Sequence, residues 1–311
     1  MRSARRLFRL NVAVGAAALA AVAFGVVVAL RAVSLDGHAT MSMLAACRHW
    51  LVPLPDPLGV AVLGLASLSV AVVVLAARSL RREAWSARRF LRAVQPQDEK
   101  LIGGERVFVI SDRLPRAFCA GLLRPRVYLS SGALDSLDAE ELLAVVAHER
   151  HHRQRRDPLR LLVVRVLADA LFFVPVLARL RTRYAQLAEM AADDAAVRAL
   201  RDPAPLASAL LRFGETSSPA VVVGIAPERV DHLLGSPPRW ELPLSLLVGG
   251  LVTVAGLAAA SVVVAGSAAP GTISASALVA QACMTAMTLV PLALGAWLLL
   301  LCTRRLLAAS A

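Results

Sequence analysis

Between Leu142 and Leu159 the chain reads LLAVVAHERHHRQRRDPL. His148 and His152 stand four residues apart, and Glu149 directly follows the first. On a helix, positions i and i+4 project from one face, so the two imidazoles can meet at one point. Neutral imidazole suits a borderline-soft cation such as zinc, and H-E-x-x-H is the zinc-peptidase spacing. Glu149 is too close in sequence to join the same ion easily, but it is well placed to take a proton from a water. Such an ion polarises a carbonyl and acidifies water, which is what peptide hydrolysis needs. A basic helix end with solvated histidines is the competing account, because Arg150, Arg153, Arg155 and Arg156 crowd the same stretch. His151 stands i+3 from His148 and is assigned to the flank, without a firm role.

A catalytic site needs one more protein ligand, a carboxylate or histidine, and an open position. The segment YAQLAEMAADDAAVRALR is strongly helical by its Ala and Leu content. Glu189 and Asp193 lie i,i+4 on one face of that helix. Glu189 is the candidate ligand, and Asp193 the acceptor that would orient a histidine ring. The alternative is a solvated acidic stripe that includes Asp194, paired with Arg183 or Arg198. His232, near a linker, is a further possible ligand. Arg156 and Asp157 are expected to close the histidine helix and set the turn before Pro158. Cys119 has no histidine beside it in sequence and reads as a buried small residue.

The elements that must hold these residues belong to an apolar chain. Of 311 residues 58% are hydrophobic, and mean hydropathy is +0.64, too apolar for an ordinary soluble protein. Residues 10–30 and 57–77 carry no charge, and each run, at about 20 residues, is long enough to cross the hydrocarbon core. Residues 242–303 are also uncharged, and GSAAPGT at 266–272 breaks them. Two more spans are expected there, at about 243–265 and 276–301. The first span follows Arg2, Arg5, Arg6 and Arg9, as a signal sequence would. Its apolar run is longer than a usual h-region, so a retained anchor is expected.

The net charge of +12 gathers beside these spans. Arg78, Arg81, Arg82, Arg88 and Arg89 follow the second, and Arg304 and Arg305 the fourth, whereas residues 31–56 hold only Arg31 and Arg48. The positive-inside rule then places both termini and residues 78–240 in the cytoplasm of a multi-pass cell-membrane protein. Lipid of the anionic kind is the expected partner for this charge, the bilayer being the chain's solvent. No nucleic-acid recognition motif accompanies it, so no direct contact with nucleic acid is expected. Cys47, Cys119, Cys283 and Cys302 share no pairing or metal-like spacing. Only Cys47 falls on the outer side, which implies no intramolecular disulfide framework.

The expected plan is a multi-pass α-helical membrane protein with four transmembrane helices and a mainly helical α+β cytoplasmic domain. Residues 1–77 form an N-terminal membrane hairpin, 78–240 the cytoplasmic domain, and 241–311 a C-terminal membrane hairpin. RREAWSARRFLRAV reads as a basic juxtamembrane helix. GERVFVIS, Gly104 to Ser111, alternates as a strand, and RAFCAG and RPRVYLSSG read as two more short strands. In SLDAEELLAVVAHERHHRQ, Asp138 can cap a helix with Glu141 as its capping-box partner. Residues 158–180 are apolar, but Arg165 and Asp169 interrupt them, and charge in hydrocarbon is expensive. A buried or membrane-surface helix is expected there, with those two residues as an i,i+4 pair. Residues 215–240, with Pro, Gly and Ser, read as a linker.

Taken together, these segments resemble the integral-membrane zinc metallopeptidases of the BlaR/MecR antirepressor type, gluzincins related to the HtpX and CAAX-prenyl proteases. The likeness runs from about residue 105 to 200. PRAFCAGLLRPRVYLSSGAL is similar to the family's approach to its active helix, and LLAVVAHERHHRQRRDPL to that helix with its trailing Arg-Asp. FFVP at 172–175 is similar to an aromatic-Phe-Asn-Pro element, with Val174 in place of Asn, and EMAADDAAV to a Glu-x-x-x-Asp helix. The resemblance implies a zincin-like domain with one zinc ion per chain on His148, His152 and Glu189, and Glu149 as general base. It implies that the strand around Ala117 and Phe118 pairs with the backbone of a peptide or protein substrate. It also implies a BlaI/MecI-type repressor as partner, whose cleavage or loss turns on genes. Receptor members carry an extracellular penicillin-binding domain after the last span, whereas this chain ends at Ala311, so direct β-lactam sensing is not expected. The function expected is therefore a membrane-bound zinc endopeptidase in regulatory proteolysis. The alternatives are a quality-control protease of HtpX type and a non-catalytic membrane signalling scaffold. The presence of all four catalytic and ligand residues weighs against the scaffold.

Overall fold

The computed structural model describes residues 2–34, 57–216, 229, 232, 244–267 and 273–274. Contacts divide the chain into two compact units, residues 1–18 with 72–253, and residues 19–71 with 254–311. Three helices among the described residues are long and apolar enough to cross a membrane: α1 (Arg2–Ala32), α2 (Pro57–Ala93) and α8 (Leu244–Ser267). The fourth expected span, 276–301, lies outside the described residues, as does most of the linker over 215–240. α2 does not stop at the end of its apolar run. It continues into the basic segment that was expected as a separate helix, because no Pro or Gly follows Gly64 to break it.

In the second unit, Val28, Ala29 and Ala32 of α1 pack with Val62 and Leu65 of α2 and Val264 of α8. A two-residue parallel pair, β1 (Val33–Ser34) with β6 (Ile273–Ser274), belongs to the same unit.

The first unit holds a four-stranded mixed sheet in the order β2-β3-β5-β4. β3 (Glu105–Ile110), β4 (Ala117–Ala120) and β5 (Arg126–Ser130) fall where the apolar alternation predicts them. β2 (Pro96–Ile102) was not expected. It pairs antiparallel with β3, while β3 and β5 run parallel and β4 closes antiparallel on β5. Gly121 makes the β4–β5 turn at φ +112°, where a Cβ would lie 2.8 Å from the Arg124 carbonyl oxygen. Val107, Val127 and Leu129 from the sheet meet Val145 and Val146 of α4 (Ala139–Arg155) in one core. α3 (Ser131–Ser136) leads into α4, capped by Ser130.

Beyond α4 come α5 (Asp157–Ala170), α6 (Val176–Leu200) and α7 (Ala204–Thr216). The apolar stretch over 158–180 is thus two helices joined at 171–175, and α5, at 14 residues, is shorter than a span. The expected Arg165–Asp169 pair does not form. Arg165 reaches Glu83 at 2.5 Å, and Asp169 takes Arg82 and Arg181, each at 3.1 Å, because α2 and α6 offer closer partners than their own helix.

The capping box forms as expected: Asp138 accepts from Glu141 N–H at 2.9 Å, and Glu141 accepts from Asp138 N–H at 2.9 Å. Glu141 does more than cap. Buried, it also accepts from Arg212 Nε at 3.0 Å and from the Ser208 hydroxyl, so it ties α7 to the start of α4. Asp138→Ala is expected to cost about 1 kcal/mol, as for other lost N-caps. Glu141→Ala is expected to cost more, about 3 kcal/mol, since it strips a buried charge pair. Denaturant titration of the detergent-solubilised chain measures the order of the two losses.

Candidate metal centre

Two helices bring the site together. α4 carries His148 and His152 on successive turns, with Glu149 beside the first, and α6 crosses it with Glu189 and Asp193. Ala144 and Ala147 of α4 meet Ala196 of α6 and Leu206 of α7, and these small side chains let the helix axes approach. Arg156 then ends α4 in the left-handed region at φ 53°, and the chain doubles back so that Asp157 lies under His152.

The ring nitrogens converge. His148 Nε2 and His152 Nε2 stand 3.2 Å apart. Glu189 brings Oε2 to 3.6 Å from His148 Nε2 and Oε1 to 3.5 Å from His152 Nε2. One ligand atom from each of these three side chains lies within 4.8 Å of the other two. The outer nitrogens face acids, His148 Nδ1 to Asp193 Oδ1 at 3.0 Å and His152 Nδ1 to Asp157 Oδ2 at 2.9 Å. A proton held on each Nδ1 leaves the inward Nε2 with a lone pair, which is the tautomer a metal requires. Two imidazoles and one carboxylate are also the donor set of a catalytic zinc site.

Electrostatics favour a cation at the same point. Burial opposes a charge on His148, but the facing carboxylates of Asp193 and Glu189 outweigh it and push the imidazole up to about 10. The same negative charge would favour a metal ion between the rings, which would release that proton on binding. Burial likewise works against the charge on Glu189 and Asp193, yet the nearby His148 and Arg229 hold both at about 2. Glu149 is buried, and burial pushes its carboxyl above the ordinary range, against the pull of His148 and His152. A carboxylate raised in this way is a better proton acceptor than a solvated one.

The remaining sequence candidates fall on either side of the site. His151 is buried away from the converging group, and its Nε2 has no hydrogen-bond partner among the described residues. Burial and then the Arg155 charge hold it down at about 4, a neutral core imidazole. His232 meets Asp194 at 2.8 Å and is not one of the three converging side chains. Asp193 is fully buried, so the acids of α6 are not one solvated stripe. Burial pushes the Cys119 thiol up to about 12, which keeps it protonated and a poor nucleophile. Ala117 and Phe118 lie on β4, an edge of the sheet packed against α4. Phe118 stacks on Tyr128 with ring centroids 5.3 Å apart.

Three contributions had not been foreseen. Asp157, expected only to shape a turn, holds His152 and takes a hydrogen bond from the Tyr184 hydroxyl at 3.3 Å. Arg229 grips Asp193 through Nε at 2.9 Å and Nη2 at 2.7 Å, and its Nη1 stands 3.2 Å from Glu189 Oε2. Arg153, placed on a solvated flank, instead binds Glu105 of β3 at 2.6 Å and ties the site helix to the sheet. The Arg-Asp step after the helix was a usable signal for Asp157, whereas Arg229 sits in a segment whose composition reads only as linker.

The BlaR1 peptidase M56 family model matches residues 56–226, the stretch that includes every one of the converging side chains. The chain belongs to this family of membrane metallopeptidases. It is also similar to a protein named "Protease HtpX homolog" from Acidiphilium cryptum (strain JF-5), 37% identical over 75 residues. That match covers 24% of this chain, and the chain spans about a quarter (26%) of the relative's length. No solved structure matches.

Were a metal held between the imidazoles, the acids behind them would tune its affinity. Asp157→Ala is expected to weaken zinc binding about 10- to 100-fold, in line with other lost carboxylate–histidine contacts. Competition with a zinc chelator measures the loss. An unchanged affinity would show that Asp157 serves the fold alone.

Proposed function

We propose that this M56 protein is a zinc-dependent endopeptidase in which His148, His152 and Glu189 hold one ion and Glu149 is the general base. The convergence of two imidazole Nε2 atoms and a carboxylate on one point carries this reading. When bound, zinc supplies the Lewis acidity that peptide hydrolysis needs. Glu149 takes a proton from the attacking water and delivers it to the leaving amine. Asp193 and Asp157 keep His148 and His152 turned inward during that exchange. The substrate backbone adds to the sheet along β4 at Ala117 and Phe118, a mode supported by the edge position of that strand beside α4.

We infer the full membrane plan from the three apolar helices together with the uncharged run at 276–301. It has four spans, with hairpins at 1–77 and 241–311 around a protease domain at 78–240. Both termini and that domain face the cytoplasm, as the arginines beside the spans favour. Family membership supports action on peptide or protein substrates. The role we infer, regulatory proteolysis of a cytoplasmic repressor of the BlaI/MecI kind, rests on the resemblance of residues 105 to 200 to the antirepressors. The likeness to a protease named for HtpX supports a second reading, quality control of membrane proteins.

Glu149→Gln tests the catalytic assignment. The variant is expected to keep its zinc and lose at least about 100-fold in cleavage of a casein or repressor substrate, the usual scale for a lost general base. Retained cleavage would contradict the role given to Glu149.

A further inference from the structure

A second polar site lies on α2, away from the converging imidazoles. An open cleft of about 1000 Å³ runs between α2 and the end of α5. Its cationic wall is Arg78, Arg81 and Arg82, and Asp169 is its acid. The acid is already saturated. Asp169 accepts from the Ser79 hydroxyl at 2.7 Å and pairs with Arg82 and Arg181, each at 3.1 Å. Glu83 is taken by Arg165 at 2.5 Å and approached by Arg82 at 3.5 Å. Arg78 and Arg81 are therefore left as surplus cations on the cleft, with no acid against either among the described residues.

Depth along α2 points to the ligand. The uncharged run 57–77, at 1.5 Å per residue, covers about 30 Å, the thickness of the hydrocarbon core. Arg78 thus stands where hydrocarbon gives way to headgroups. Leu75 lines the cleft on the apolar side of Arg78, and Trp85 lines it two turns further on. Trp85 is 62% exposed, an indole at the level where aromatic belts sit.

We propose that this cleft binds the headgroup phosphate of an anionic phospholipid, with Arg78 and Arg81 on the phosphate oxygens and the acyl chain leaving past Leu75. Two surplus cations and a neutralised acid favour a net negative headgroup. A zwitterionic choline would find no free carboxylate, since both oxygens of Asp169 are occupied. The bound lipid joins α2 to α5, and so fastens the unit that carries the peptidase residues to the membrane surface.

Full-length protein in non-ionic detergent is titrated with phosphatidylglycerol, phosphatidylcholine or inorganic phosphate, and bound copies are counted by native mass spectrometry. One phosphatidylglycerol per chain is expected, held in preference to phosphatidylcholine. Arg78→Gln with Arg81→Gln is expected to weaken it about thirtyfold, the scale of two lost arginines at a lipid surface. Arg88→Gln with Arg92→Gln, exposed on α2 beyond the cleft, is expected to leave that copy in place. Equal loss in both pairs would show diffuse surface charge, and no loss in the first would show a lipid bound elsewhere. Either result overturns the proposal, as does equal retention of phosphatidylcholine or displacement of the lipid by phosphate at matching concentration. These lipid comparisons on the unaltered chain stand even if a double variant fails to fold.

Discussion

Alanines at 144, 147 and 196 hold α4 and α6 close enough for a carboxylate on one helix to face imidazoles on the other. This crossing is the constraint on which the site depends. An H-E-x-x-H pair fixes only two directions, because both imidazoles come from one helix. The third direction must come from a second helix at the right height, and Glu189 supplies it. A larger residue at Ala147 or Ala196 would push the helices apart and separate Glu189 from both rings.

Holding the crossing in place means burying charge, which is costly unless each charge is paired. The chain meets that cost with linked pairs. Asp193 is shared by His148 and Arg229, Asp157 by His152, Tyr184 and Arg155, and Glu105 by Arg153. The same acids that face the rings bring negative charge to the pocket, so the contacts that hold the crossing would also favour a bound cation. Glu149 gains from the burial differently, since its carboxyl is made a stronger base by losing water. The histidines and the arginines of this stretch divide by position. His148 and His152 face α6, while Arg153 and Arg155 reach back to Glu105 and Asp157 as internal partners.

Much of this was legible in the sequence. The i,i+4 spacings of His148 with His152 and of Glu189 with Asp193 are local properties of a helix and carry over directly. The capping box at Asp138 and Glu141 is equally local. β2 was hidden because its residues, PQDEKLI, are almost all exposed and carry no alternation to read. The partners of Arg165 and Asp169 were misjudged because helical spacing names only the neighbours on the same helix, and α2 is more than 80 residues away in sequence. Arg229 was invisible for the same reason, 36 residues from Asp193 in a stretch with no helical or strand periodicity. Long-range pairing of charged groups is set by how helices cross, and the crossing is not written in any one segment.

Metal analysis of the full-length protein purified from membranes, joined to zinc-edge X-ray absorption, tests the central assignment most directly. One zinc per chain is expected, with imidazole nitrogen and carboxylate oxygen among its nearest neighbours. His152→Ala and Glu189→Gln, prepared in the same way, should each lose most of that zinc. A full complement of zinc in both variants, or an absorption signature without imidazole, would contradict a metal held between α4 and α6.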